Sequence, residues 1–300
     1  MLKASIDLGT NTCLMLIAEV ESGCVKKVLG DYARIVRLGE GVDKTRCLHS
    51  DAIERTLTCL TEYKKIISKA GILPGDVVSV ATSQARDAEN GVEFFARVEA
   101  EWGFRFRVIS GKDEARLSFM GSLLPGMEAE NHAVVDIGGG STEFVTAKED
   151  RSIDLGSVRF TERYLKTDPV IDEEFSICLN EIDNKLEGLV DWRSSIPSDM
   201  RMLAVAGTAT TLATWHLGLR DFDAAEVEKV QLTNGNLLRM VKDLKRMTVA
   251  ERRDQVGIEP KRADVLLAGA MIMWRTMEKL NFPACNISSR GLRYGVLMDL

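Results

Sequence analysis

One short pattern occurs twice in this chain: an apolar strand ending in Asp-x-Gly, a turn, and a second strand. It reads "DLGTNT" from Asp7 and "DIGGGST" from Asp136. Glycine has the most backbone freedom to lose on ordering, so a Gly-Gly-Gly run in an ordered turn implies close approach to bare backbone. A repeat of this kind, 129 residues apart in a chain of 300 residues, predicts two related α/β halves rather than one continuous sheet.

The rest of the pattern fits that reading. Strands are predicted at residues 5–8 and 13–20, and at 77–81 and 104–109, with helices over 50–70 and 90–102. Asn90 with Glu93 has the form of a capping box, and Ser110 with Asp113 caps the helix that follows. Leu124-Pro125-Gly126 interrupts the pattern. The expected domains therefore divide after residue 124, the first being 1–124 and the second 125–289. In the second half, strands are predicted at 133–137, 142–147, 152–155 and 202–206. Helices are predicted at 157–166, 172–190, from 207, at 239–246 and at 263–280.

Charge and composition exclude several classes. The net charge is −6, and the first 122 residues carry equal numbers of acidic and basic side chains. A binder of nucleic-acid polymers needs a basic excess, so none is expected here. No stretch reaches the roughly 18 apolar residues of a membrane span. Asp7 interrupts the apolar start, which argues against a signal peptide and for a cytoplasmic location. The six cysteines include no C-x-x-C, and the three histidines are scattered. A disulfide framework or a zinc site is not expected.

Each glycine turn can present several backbone N–H groups on one side, a concavity suited to phosphate oxygens. Thr10, Thr12, Ser141 and Thr142 can add hydroxyls. Asp7 and Asp136 would repel phosphate unless Mg²⁺ or water lay between, since hard cations take carboxylate and phosphate oxygen together. The alternative is an ordinary hairpin whose Asp caps its own turn. The turns match neither a Walker loop nor a dinucleotide fingerprint. Glu114, in "SGKDEARL", stands in the first turn of a helix just before the domain boundary. There it could accept a proton from an attacking water. Arg86, in "ATSQARDAENG", can grip phosphate with parallel hydrogen bonds or pair with Asp87 or Glu89. Gly207-Thr208 opens a helix after a buried strand and can receive phosphate or nucleotide, or serve close packing. Eight basic residues between Arg239 and Arg262 form either a solvated helix face or a track for a polyanion.

Taken together, "ASIDLGTNT", "ATSQARDA", "SGKDEARL", "DIGGGSTEF", "AVAGTATTLA" and "ISSRGLRYGVL" resemble the exopolyphosphatase/guanosine pentaphosphate phosphohydrolase (Ppx/GppA) family in its short two-domain form. The resemblance implies the duplicated fold of actin, sugar kinases and heat-shock chaperone ATPases, which is ribonuclease H-like, with a cleft between two lobes and the last helix, about 290–300, joined to the first lobe. It implies removal of terminal phosphate from polyphosphate or pppGpp with Mg²⁺ (or Mn²⁺), often by a homodimer. By motif, Glu114 matches the general base. Asp136 and Glu143 match carboxylates of the metal and water site, and Asp7 their counterpart in the first lobe. Gly9 and Asn11 match the first phosphate loop, Gly138, Gly139, Gly140 and Ser141 the second, and Arg86 a phosphate-gripping arginine. Leu14 stands where the family often has arginine, and the extra C-terminal helical domains of longer members have no counterpart here. Two other readings stay open: an ATP-using kinase or ATPase of the same superfold, and a sensor that binds alarmones without hydrolysing them.

Overall fold

The computed structural model describes residues 1–299. Its contacts divide the chain into two units: Met1–Gly121 together with the segment from Gly291, and Ser122–Arg290. The division falls at Gly121, slightly ahead of the Pro125 break.

The first unit is built on a five-stranded mixed sheet of β1 (Leu2–Leu8), β2 (Thr12–Glu21), β3 (Cys24–Ile35), β4 (Val77–Ala81) and β5 (Phe106–Val108). The order is β3-β2-β1-β4-β5. β1, β2 and β3 pair antiparallel, while β4 and β5 run parallel to β1. The second unit contains β6 (His132–Ile137), β7 (Thr142–Val145), β8 (Asp150–Ile153), β9 (Arg201–Val205), β10 (Gln231–Thr233) and β11 (Ala284–Ile287). Its order, β10-β11-β9-β6-β7-β8, repeats the first with β10 added at the edge. Strand directions repeat too, since β9 is parallel to β6 and β11 to β9. This is the duplicated actin-like, ribonuclease H-like architecture, mixed α/β in each half.

One strand was not predicted, and two local expectations differ from the structure. β3, twelve residues long, carries no clear period-2 signal because it is an edge strand with most side chains in solvent. Asn90 does not cap its helix with its side chain. Its amide instead bridges Leu48, accepting from N at 2.8 Å and donating to O at 3.0 Å. The helix expected over 172–190 ends at Glu187, and a short helix, Val190–Ser195, follows it.

Each unit has its own core. In the first, helix Ser50–Lys69 packs Leu57, Leu60 and Tyr63 on the sheet, with Phe94, Phe95 and Val98 beside them. In the second, helix Leu266–Lys279 is buried along nearly its whole length, and Trp192 meets the Phe144 ring edge-on at 5.7 Å between centroids. Each fully buried large apolar side chain contributes about 1.5–3 kcal/mol.

The C-terminal helix Leu292–Met298 belongs to the first unit, where Leu297 and Tyr294 cover Leu16 and Val20 of β2. It crosses helix Gly111–Ser122 backbone to backbone, and a Cβ on Gly295 would lie 1.8 Å from the Leu117 carbonyl oxygen. Arg293 locks the same helix to β3 through two bonds to Asp31, at 2.8 and 2.7 Å. Burial works against its charge, yet Asp31 foremost, with Tyr294 and Asp7, holds the guanidinium pKa above the ordinary arginine value.

No helix among the described residues is long and apolar enough to cross a membrane. All six cysteines are free thiols. Burial pushes Cys178 and Cys285 up to about 12, while Cys24 is exposed on the edge strand. The thiolate is the reactive form, so an alkylating reagent at pH 8 should label Cys24 in the native chain. Cys178 and Cys285 should react only after denaturation, as mass spectrometry of the labelled peptides will show.

Candidate active site

The two Asp-x-Gly turns are built alike. Gly9 N donates to Thr12 O at 2.9 Å, and Gly138 N donates to Ser141 O at 3.0 Å. Each closes a two-residue hairpin loop, Thr10-Asn11 in the first unit and Gly139-Gly140 in the second. In both, the carbonyl groups are held by other parts of the same unit. Thr10 O accepts from Gly39 N at 2.9 Å, and Asn11 O from Val36 N and Arg37 N at 3.0 Å each. Gly138 O accepts from Ser157 N at 3.0 Å, and Gly139 O from Val158 N and Arg159 N at 2.9 and 3.0 Å. Gly140 O accepts from the buried Arg159 guanidinium at 2.7 Å. Among the described residues, the N–H groups of Thr10, Asn11, Gly139 and Gly140 have no hydrogen-bond partner. With the carbonyls tied back and the amides unspent, each turn is a set of fixed donors for an anion.

The second turn is seated on the start of helix Ser157–Tyr164. That seating requires Gly156, because a Cβ there would lie 2.3 Å from Gly139 O, a backbone atom that cannot swing aside. Gly156 and Arg159 support this turn from residues that the sequence reading missed.

Hydroxyls near the turns are largely engaged. Thr142 Oγ1 donates to Leu155 O, and Thr10 Oγ1 lies 2.9 Å from Ser83 Oγ and 3.2 Å from Gln84 Oε1. Thr10 can therefore offer its amide, while its side chain anchors the turn. Asn11 differs. It is buried, and neither its Oδ1 nor its Nδ2 has a partner. An unsatisfied buried amide is costly, so one this close to free backbone donors is an argument for an absent polar ligand.

In the first unit the contacts continue from the turn to the two other predicted residues. Gln84 Nε2 donates to Leu8 O at 2.7 Å, which fixes helix Ser83–Asp87 against the end of β1. Two residues on, Arg86 Nη1 donates to Glu114 Oε2 and to Ile109 O, both at 2.8 Å. Glu114 stands in the first turn of helix Gly111–Ser122, begun by Ser110 Oγ accepting from Asp113 N at 3.1 Å. Of its partners within the chain, neither Asp87 nor Glu89 is the one found: the guanidinium holds the carboxylate of Glu114.

In the second unit, Asp136 on β6 and Glu143 on β7 are direct cross-strand partners. Opposed residues share one face of the sheet, and like charges so placed destabilise it unless a cation or proton intervenes. Ser152 Oγ on β8 donates to Glu143 Oε1 at 2.9 Å and orients it. The equivalent pair in the first unit is Asp7 and Leu14. There the carboxylate is buried near Arg293 instead. The two halves thus share the anion turn but differ in charge beside it.

No group of three or more His, Cys, Asp or Glu among the described residues could form a metal shell. Magnesium does not need one: it usually keeps several waters and binds one or two carboxylates together with substrate phosphates. The opposed Asp136 and Glu143 fit that requirement.

Gly207 and Thr208 lie at the start of helix Ala206–Leu217. The space where a Cβ of Gly207 would stand is taken by the Arg262 guanidinium, and Thr208 is buried against Gly269. Burial lowers the Arg262 pKa to about 10. Of the basic stretch, Arg252 is buried, whereas Arg239, Lys242, Arg246 and Arg253 are exposed.

Two anion-ready turns on a duplicated ribonuclease H-like fold, with carboxylates beside them, define a phosphate-handling protein of the actin-like class. The chain belongs to the Ppx/GppA phosphatase family, whose model matches residues 16–300. It is 36% identical to exopolyphosphatase 2 of Mycobacterium tuberculosis, over 99% of this chain and 98% of that protein. It is also 34% identical to a bifunctional 3-dehydroquinate synthase/phosphatase of Fusobacterium nucleatum, where it spans 99% of its own length but 46% of the relative's. Among solved structures, an exopolyphosphatase-like protein superposes with a TM-score of 0.92 at 30% identity, covering 99% of this chain and 97% of the other.

Proposed function

We propose that this protein is an exopolyphosphatase, a hydrolase that removes the terminal phosphate of inorganic polyphosphate, with pppGpp as a second substrate of the same chemistry. The observation that carries this reading is the repeated turn, with its carbonyls tied back and the N–H groups of Thr10, Asn11, Gly139 and Gly140 unspent. Family membership and the exopolyphosphatase names among similar proteins support it.

In this mechanism, the amides of a turn hold phosphate oxygens, and Arg86 adds a charged donor. Glu114 accepts a proton from water as the water oxygen attacks the terminal phosphorus. The bond from that phosphorus to the bridging oxygen breaks, leaving orthophosphate and a chain one phosphate shorter. The proton on Glu114 then returns to solvent. Phosphoryl transfer of this type depends mainly on positioning and charge stabilisation. Asp136 and Glu143 are the residues that would hold Mg²⁺, which when bound would offset phosphate charge. Asp7 is the matching carboxylate of the first unit.

Orthophosphate release from polyphosphate, pppGpp and ATP, assayed in parallel, tests the proposal. Release from polyphosphate is expected to exceed release from ATP. Preferential hydrolysis of ATP would favour an ATPase, and tight binding without release would favour a sensor. EDTA should abolish the activity and Mg²⁺ or Mn²⁺ restore it. Undiminished release in EDTA would remove the metal from the mechanism and leave the substrate assignment standing.

A further inference from the structure

The second turn is aimed by the three residues that open helix Ser157–Tyr164. Ser157 N holds Gly138 O, Val158 N and Arg159 N hold Gly139 O, and Arg159 Nε holds Gly140 O at 2.7 Å. A peptide unit is planar and trans, so its N–H points opposite to its C=O. Three tied carbonyls therefore aim three successive N–H groups the other way, those of Gly139, Gly140 and Ser141. Among the described residues the Ser141 N–H, like the other two, has no hydrogen-bond partner. The matching carbonyl of the first turn, Asn11 O, is held by two backbone amides. Gly140 O accepts instead from a side chain, that of Arg159, which is itself buried.

We infer that Arg159 is a positioning residue: by holding Gly140 O it fixes the Gly140–Ser141 peptide so that the Ser141 N–H is the third anion donor of the second turn. The inference rests on the phosphohydrolase reading above. Gly140 lacks a Cβ, and glycine takes either sign of φ at little cost, so this peptide can turn over. Turned over, it would face a phosphate with a carbonyl oxygen in place of a donor. A hydrogen bond from a charged group is the stronger kind, and here it selects one orientation. Arg159 acts through the backbone and needs no contact with substrate.

Wild type, Arg159→Met and Arg159→Lys, each as the full chain, are compared for KM on polyphosphate. Amide NMR then follows their response to imidodiphosphate, a diphosphate that resists hydrolysis. In wild type the Ser141 amide should shift together with those of Gly139 and Gly140. In Arg159→Met, KM should rise about tenfold or more, the effect of losing a donor to a charged group. Its Ser141 amide should no longer respond, while the Thr10 and Asn11 amides of the first turn still do. Arg159→Lys should recover part of both effects. A Ser141 amide that ignores the anion in wild type would overturn the inference, whatever the variants do. So would a wild-type KM or Ser141 response in Arg159→Met, or a loss there that extends to the first turn, as a merely structural role would give. A wild-type protein that releases no phosphate from polyphosphate would instead refute the functional reading beneath it.

Discussion

Glu114→Gln is expected to lower kcat for phosphate release from polyphosphate by about 10²- to 10⁴-fold, the usual worth of general-base assistance. KM should change little. Glutamine keeps the shape of the side chain and an oxygen that can still accept from Arg86 Nη1, now at 2.8 Å from the carboxylate. Helix Gly111–Ser122 still begins at Ser110 and Asp113. The substitution therefore removes a proton acceptor while sparing the fold and the anion turns. Circular dichroism and tripolyphosphate binding would verify both. A folded Glu114→Gln protein with wild-type turnover would dismiss Glu114 as the base. The neighbouring Arg86 should behave differently, because it both contacts the base and can face phosphate, so its loss should alter kcat and KM together.

Gly295→Ala should be the most damaging single-methyl change in the first unit. The added carbon would stand 1.8 Å from Leu117 O and 2.6 Å from Leu117 C, both backbone atoms. No rotamer change relieves a clash with backbone, so one of the two helices must shift. Overpacking costs typically 1–3 kcal/mol, and this site should fall at or above the upper figure. A displaced C-terminal helix would also strain the Arg293–Asp31 pair and the Ser5 Oγ bond to Arg293 O, at 2.6 Å. Leu117 lies one helical turn from Glu114, so activity should fall with stability. Urea denaturation measures the effect directly. A midpoint equal to wild type would mean that the helices separate more easily than their contacts indicate.

The sequence conveyed some levels of this structure better than others. Both Asp-x-Gly hairpins were legible because strand, turn and strand each have their own local signal, and their repetition indicated the duplication. Ser110 as a cap was legible for the same reason, being a contact within four residues. Contacts between distant segments were not. Asn90 has the spacing of a capping box, yet its side chain is drawn to Leu48, 42 residues away. Thr10 and Thr142 looked like donors for a ligand, but their hydroxyls hold Ser83 and Leu155. The direct opposition of Asp136 and Glu143 follows from hairpin register, and Leu14 at the equivalent place shows how one residue separates the two halves. Arg159 had no local signature. Its significance comes from the Gly140 carbonyl it ties down, which only the folded chain brings to it.

The central claim is that this chain removes phosphates one at a time from the end of polyphosphate. Phosphorus-31 NMR of a long-chain polyphosphate sample incubated with the protein distinguishes internal, terminal and free phosphate in a single spectrum. Orthophosphate should grow as internal phosphate declines one for one, with the terminal signal constant until chains become short. Growth of the terminal signal without orthophosphate, or a spectrum that does not change, would contradict the account.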